Sequence, residues 1–240
     1  MIDVLLLRFD APLMSFGTTA VDSHRVVQAF PALSMLTGLL GNALGYDHRE
    51  AEKLTDLQER IRYASRCDRA GSHLVDFQTV GLGQPFLTAG WTTRGTPEGR
   101  GGASGDQTHI RYRHYQADAV HTVALTLGPG MPGLDEVERA LRTPERPLFI
   151  GRKACLPSGP ILLERLQAES LRAALENEPR VPGGDTGALQ AWWPADEETP
   201  AQSHLVEVVD ERDWRNQIHS GRRLLREGMV EPACEVSHGD

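Results

Sequence analysis

The sequence predicts an α+β protein, and three observations carry that prediction. Short apolar runs bounded by turn residues, such as "DVLLLRF" at 3–9, have the length and composition of buried strands. Stretches with helical spacing of apolar residues separate them. Between Leu82 and His109 both periodicities fail, in a segment rich in Gly, Thr and Ser.

The elements follow in order. Asp10-Ala11-Pro12 ends the first strand. After a polar connection, "FPALSMLTGLLGNALG" reads as a helix, with Pro31 near its start and Gly45 near its end. "HREAEKLTDLQERI" is a second helical stretch, and "RYASRCD" and "HLVDFQTVG" (73–81) are strands. The segment "GWTTRGTPEGRGGASGDQTH" should be a long loop or the tip of an extended hairpin. Order returns in "IRYRHYQADAVHTVALTL" (110–127), whose second half is a clear strand. "GLDEVERALR" is a short helix, and "PLFIGRKACLPSGPILLERL" supplies one or two strands. The resulting β-α-β-β-α-β order, with an insertion after the third strand, is the ferredoxin-like arrangement that many RNA-binding modules use. Beyond about residue 168 the pattern is less regular, and "GALQAWWP", "SHLVEVVDERDW" and "NQIHSGRRLLREGMV" are expected to build a small second sheet.

A chain of 240 residues with 40% hydrophobic content buries a sizeable core and belongs among soluble globular proteins. No apolar run approaches the roughly 18 residues of a membrane span. "MIDVLLLRFDAP" lacks a basic n-region, so a cytoplasmic protein with no membrane association is expected. Cys67, Cys155 and Cys234 are far apart and odd in number, which fits incidental thiols in a reducing compartment. There is no HxxxH, CxxC, P-loop or strand-linked GxGxxG, so no metal or cofactor is expected.

The net charge of −8 is unevenly distributed. Residues 1–165 hold 18 Lys+Arg and 18 Asp+Glu, a net of zero; residues 166–240 hold 7 and 15, a net of −8. Only Lys53 and Lys153 are lysines. Arg presents a planar fork suited to phosphates and bases, although a GC-rich genome produces the same bias.

Ser34, Gly38, Gly41 and Gly45 fall at i, i+4, i+7 and i+11, one face of a helix. Glycine inside a helix costs about 1 kcal/mol against alanine. A face without side chains admits close approach, either by the protein's own elements or by an RNA backbone or partner subunit. Spacing alone leaves both open.

Five stretches now carry a resemblance: "LLLRFDAPLMSFG", "HRVVQAFPALSMLTGLLGNALG", "VDFQTVG", "YRHYQADAVHTVAL" and "PLFIGRKACLPSGPI". In this order they resemble the CasD family of type I-E CRISPR Cascade subunits, part of the repeat-associated RAMP superfamily. The match covers roughly residues 1–165. It implies a non-catalytic subunit that caps one end of the Cascade backbone and holds the 5′ handle of the crRNA. The backbone subunit CasC and the large subunit CasA are the implied neighbours, with target DNA met mainly through the assembled complex. The implied architecture is a ferredoxin-like (RRM-like) palm over 1–168, a β-hairpin thumb at about 78–116, and a small C-terminal β-rich region over 169–240. The family's usual Trp-Gly after the first strand is Phe16-Gly17 here.

Several residues are candidates for RNA contact. A Gly/Ser/Arg-rich thumb cannot fold alone but can order on RNA, with Arg94, Arg100, Arg111 and Arg113 for phosphates and His109 for a polar contact. In "RYRHY", strand alternation puts Arg111, Arg113 and Tyr115 on one face, a surface for phosphates and base stacking; an edge strand packing its tyrosines on the palm is the alternative. Arg25, with the helix N-terminus near Ser34, suits a phosphate. Gly38 would let a backbone pass closely, Ser15, Phe16 and Gly17 would line the same cleft, and Arg152 and Lys153 follow a strand and a glycine. Arg222 and Arg223 would meet a neighbouring subunit.

Two other functions compete. A type I-C relative cuts repeat RNA without metal, and His24, His109, His114, Tyr112 and Tyr115 are the groups such chemistry would draw on. They form no compact constellation in sequence, and in type I-E complexes a separate subunit, CasE, cuts. A protein adaptor docking through the glycine face would make no RNA contact.

Overall fold

Where the apolar residues fall along each strand decides the layers. The computed structural model describes residues 1–19, 23–81, 89–91, 97–99, 108–197 and 202–233. Strand β1 (Ile2–Asp10) sends Leu5, Leu7 and Phe9 into one core and Val4 and Leu6 into another. A strand covered on both faces reads as an unbroken apolar run, which explains "DVLLLRF". The chain continues through β2 (Leu13–Met14), β3 (His24–Arg25), α1 (Leu33–Ala43), α2 (Ala51–Arg60) and β4 (Ile61–Arg69). Then come β5 (Ser72–Gly81), β6 (Ala89–Trp91), β7 (Pro97–Gly99), β8 (Thr108–Ala117) and β9 (Val120–Leu127). The remainder is α3 (Leu134–Arg142), β10 (Leu162–Ala168), α4 (Leu171–Asn177), β11 (Leu189–Pro194), β12 (His204–Val208), β13 (Arg212–Asp213), β14 (Ile218–His219) and β15 (Arg223–Val230).

Seven strands form one antiparallel sheet in the order β10-β1-β9-β4-β11-β15-β12. Helices α1, α2 and α3 contribute Leu36, Leu57 and Val137 to the core on one face. Helix α4 covers the other face with Leu171, Ala174 and Leu175. The expected separate C-terminal sheet is therefore corrected: β11 pairs with β4 through Ala191↔Arg66 and Trp192↔Ser65, and β15 and β12 extend the same sheet. The reason is that Ala191, Trp193 and Val230 enter the core beneath α4. Of the described strands after residue 168, β13 and β14 stand apart from this sheet, as a two-stranded ribbon.

A second sheet is built on β8, which pairs with β5 along ten residues from Ser72↔Ala117 to Gly81↔Thr108. On its other edge β8 meets β2 antiparallel and β3 parallel. The expected third strand, 73–81, is thus one arm of a hairpin outside the seven-stranded sheet, and its pairing begins nearer the base than residue 78. Most of β5 is exposed, so no core holds it in the larger sheet. The "PLFIGRKACLPSGPILLERL" stretch yields a single strand, β10; Gly151 (φ +93) turns the loop before it, and a Cβ there would lie 1.9 Å from the Ser15 carbonyl oxygen.

Helix α1 ends sooner than the glycine stripe. Gly45 takes φ +79, its amide donates to Asn42 O at 3.2 Å, and the Tyr46 amide donates to Gly41 O at 2.8 Å. That is a Schellman stop, so Gly45 ends the helix rather than joining its face. No helix among the described residues is long and apolar enough to cross a membrane.

Candidate nucleic-acid interface

The glycine face of α1 forms the floor of a groove. Gly38 leaves room for the indole of Trp214, whose Cη2 would stand 3.7 Å from an added Cβ. Gly41 receives Leu54 of α2, whose methyl would lie 2.6 Å from a Cβ. Much of the stripe is therefore spent on packing the protein's own ribbon and helix. Gln58 holds the ribbon: its Oε1 accepts from Trp214 Nε1 and the Arg212 amide, each at 3.1 Å, and its Nε2 donates to Arg212 O.

What the packing leaves open is a cleft of about 530 Å³. Ser15, Gly17, Ser34 and Gly38 line it, with Arg25, Arg152 and Lys153. Arg146, Arg212, His48 and His219 complete its polar wall, and no Asp or Glu lines it among the described residues. In a chain of net charge −8, a cleft with five cationic side chains and no carboxylate is a marked segregation of charge.

Arg152 is built in. It donates to His114 O at 2.8 Å and Arg25 O at 3.0 Å, and its guanidinium lies 4.7 Å from the Tyr115 ring centre. These contacts join the loop before β10 to β8 and β3. Arg146 caps the end of α1 by donating to Tyr46 O and Gly45 O. Among the described residues, neither Arg25, Arg113 nor Lys153 forms an ion pair, whereas Arg8, Arg66 and Arg223 do. Arg25 and Arg113 are register partners in β3 and β8, so the cationic surface runs from the cleft onto the hairpin. His109, Arg111 and Arg113 alternate along that face at about 7 Å spacing.

Three expectations change. Phe16 is fully buried against Phe9 and edge-on to His121, and Tyr115 is buried beneath Arg152; neither ring is open to a base. The N-terminus of α1 holds no vacant amides for a phosphate near Ser34. Asp210 Oδ2 accepts the Leu33 amide at 2.8 Å and Asp210 O accepts the Ser34 amide at 2.9 Å. Arg223, expected to meet a neighbouring subunit, instead binds Asp210 at 2.6 and 2.7 Å, while Arg222 pairs with Glu207. Arg94 and Arg100 lie outside the described residues.

On the opposite hairpin face, His24 stacks on Tyr112 (4.5 Å, 9°), and His114 Nδ1 lies 2.9 Å from His73 Nε2. Burial first, then His73, His24 and Arg152, hold the His114 pKa below its usual value. Sequence reasoning had singled out His24, Tyr112 and His114 but missed His73, whose closeness depends on the β5–β8 register. It also missed Arg146, Arg212 and Trp214, which reach the cleft only through the Schellman stop and the ribbon. No group of three or more His, Cys, Asp or Glu among the described residues is arranged to hold a metal.

A family model described as CRISPR-associated protein (Cas_Cas5) matches residues 4–226. The chain is 32% identical over 182 residues, 75% of its length, to the CRISPR system Cascade subunit CasD of Escherichia coli (strain K12), covering 79% of that protein. A chain in a solved CRISPR RNA-guided surveillance complex superposes with TM-score 0.64 at 27% identity, covering 95% of this chain and 90% of that one. A second solved structure, described as a Cas protein, gives TM-score 0.64 at 28% identity, covering 96% and 98%.

Proposed function

The chain belongs to the CRISPR-associated Cas5 family, and from that premise we propose that it is the non-catalytic Cascade subunit that binds and caps the 5′ handle of the crRNA. The observation that carries this reading is the cleft: about 530 Å³, five cationic side chains and no carboxylate, continuous with the Arg25–Arg113 face of the hairpin. Such a groove neutralises phosphates while its glycine floor lets the backbone lie close. The order β10-β1-β9-β4, with α1–α2 and α3 crossing one face, is read as the ferredoxin-like palm, and β5–β8 as the stem of the thumb. Cytoplasmic action beside CasC and CasA, with target DNA met through the complex, belongs to the same reading.

Handle RNA titrated at several salt concentrations tests it. Removing Arg25 and Lys153 together should weaken binding and flatten the log–log salt slope by about 1.4, at about 0.7 per single-strand phosphate contact. An unchanged slope contradicts the groove.

A second reading is favoured by one observation, the meeting of His24, His73, His114 and Tyr112. A metal-independent ribonuclease would use such imidazoles as acid and base. Against it, no Arg or Lys of the described strands β3, β5 and β8 shares that face to hold a scissile phosphate. Cleaved repeat RNA after incubation with the chain would establish it.

A further inference from the structure

The hairpin stem has two chemically different faces. Arg111 and Arg113 lie on one, while Val75, Phe77, Ile110 and Tyr112 lie on the other. Val75, Phe77 and Ile110 are 47%, 56% and 43% exposed. Strand β5 also has an open edge: it pairs with β8 alone, and no other described strand meets it. Along its ten residues, the alternate backbone donors and acceptors that face away from β8 form a template for another strand. Asp76 is the only acid on β5 and no Lys, Arg or Pro interrupts it, so the usual protection of a free edge is missing.

We propose that β5 is a protein-docking edge that receives an extended segment of a neighbouring Cascade subunit by strand addition, with Val75 and Phe77 seating its apolar side chains. The open backbone edge selects an extended polypeptide. Among the described residues of β3, β5 and β8, no Arg or Lys shares the Phe77 face, which disfavours nucleic acid, whose binding depends on cations. An exposed apolar patch beside a polar, cationic face is the composition of a protein interface. The choice of partner rests on the reading of the chain as a Cascade subunit; the edge itself does not.

Amide hydrogen exchange tests this on three samples: the chain alone, the chain with handle RNA, and the complete complex with crRNA. Alone, alternate β5 amides are bonded to β8 and the others exchange freely. In the complex, the second set should slow at least tenfold. Phe77→Asp, at an exposed site, should reduce incorporation of the chain into the complex at least tenfold while leaving its own handle-RNA affinity unchanged. Protection by RNA alone, or weaker RNA binding by Phe77→Asp, would show that bases occupy the face and overturn the proposal. Protection that grows with the concentration of the chain alone would make the occupant a second copy and overturn it too. An assembled complex with unprotected β5 amides would also overturn it. Loss of RNA binding in Arg25→Ala/Lys153→Ala with β5 still protected keeps the two readings separable.

Discussion

Asp210 accepts the backbone amide of Leu33 across 177 positions of sequence. This contact closes the N-terminus of α1 with a residue from the C-terminal third, and it fixes the ribbon that walls the cleft. Ala32, at the cap position, offers no side-chain acceptor. Arg223 neutralises the carboxylate and reaches the Tyr63 hydroxyl, which donates to Pro31 O.

Asp210→Ala should therefore be severe. It removes a cap and leaves Arg223 unpaired in a buried site, a change that costs about 3–5 kcal/mol. Urea denaturation of Asp210→Ala, Arg223→Leu and the double variant should show coupling, with the double variant less destabilised than the sum. Additive losses would mean that the pair does not act as a unit.

Two glycines should behave differently. Gly38→Ala meets only an ordinary contact with Trp214, so helix propensity should leave stability unchanged or raise it by up to about 1 kcal/mol, while handle-RNA binding weakens because the floor rises. Gly151→Ala places a methyl against Ser15 O at φ +93, and it should cost about 2 kcal/mol or more. Thermal melts and RNA titration of the same two variants separate floor from scaffold.

Acid should destabilise the fold through His121. Burial pushes its imidazole pKa from 6.5 down to about 3. Between those values the unfolded chain binds a proton that the folded chain refuses, so stability falls as pH drops, by about 1.4 kcal/mol per unit. From pH 7 to pH 5 the loss should be about 2 kcal/mol. His114 and His219 are lowered in the same sense, mainly by burial, and add to it. His121→Gln should flatten the pH dependence in urea titrations; an unaltered slope would show that His121 is not its source.

Strands β1 and β9 and helix α3 were readable because β1 and β9 carry their cores as local apolar runs, and α3 repeats Val137 and Leu141 on one face. Arg25 was readable as a cation ahead of the glycine helix, and Arg152 and Lys153 as cations after Gly151. The rest was hidden by distance. Nothing near Leu33 announces Asp210, and nothing near Gly38 announces Trp214. Phe16 and Tyr115 looked like stacking rings because alternation gives a face but not what covers it; Arg152 covers Tyr115. The continuation of the sheet from β4 into β11 depends on a long-range pairing that no local pattern encodes.

The most direct test of the central claim is crRNA binding by the purified chain, alone and with the backbone subunit, using an intact or a scrambled 5′ handle, with the RNA then examined on a gel. The account predicts handle-dependent binding, intact RNA, and loss of binding when Arg111 and Arg113 become Ala. Handle-independent binding, no binding in either setting, or cleaved repeat RNA would contradict it.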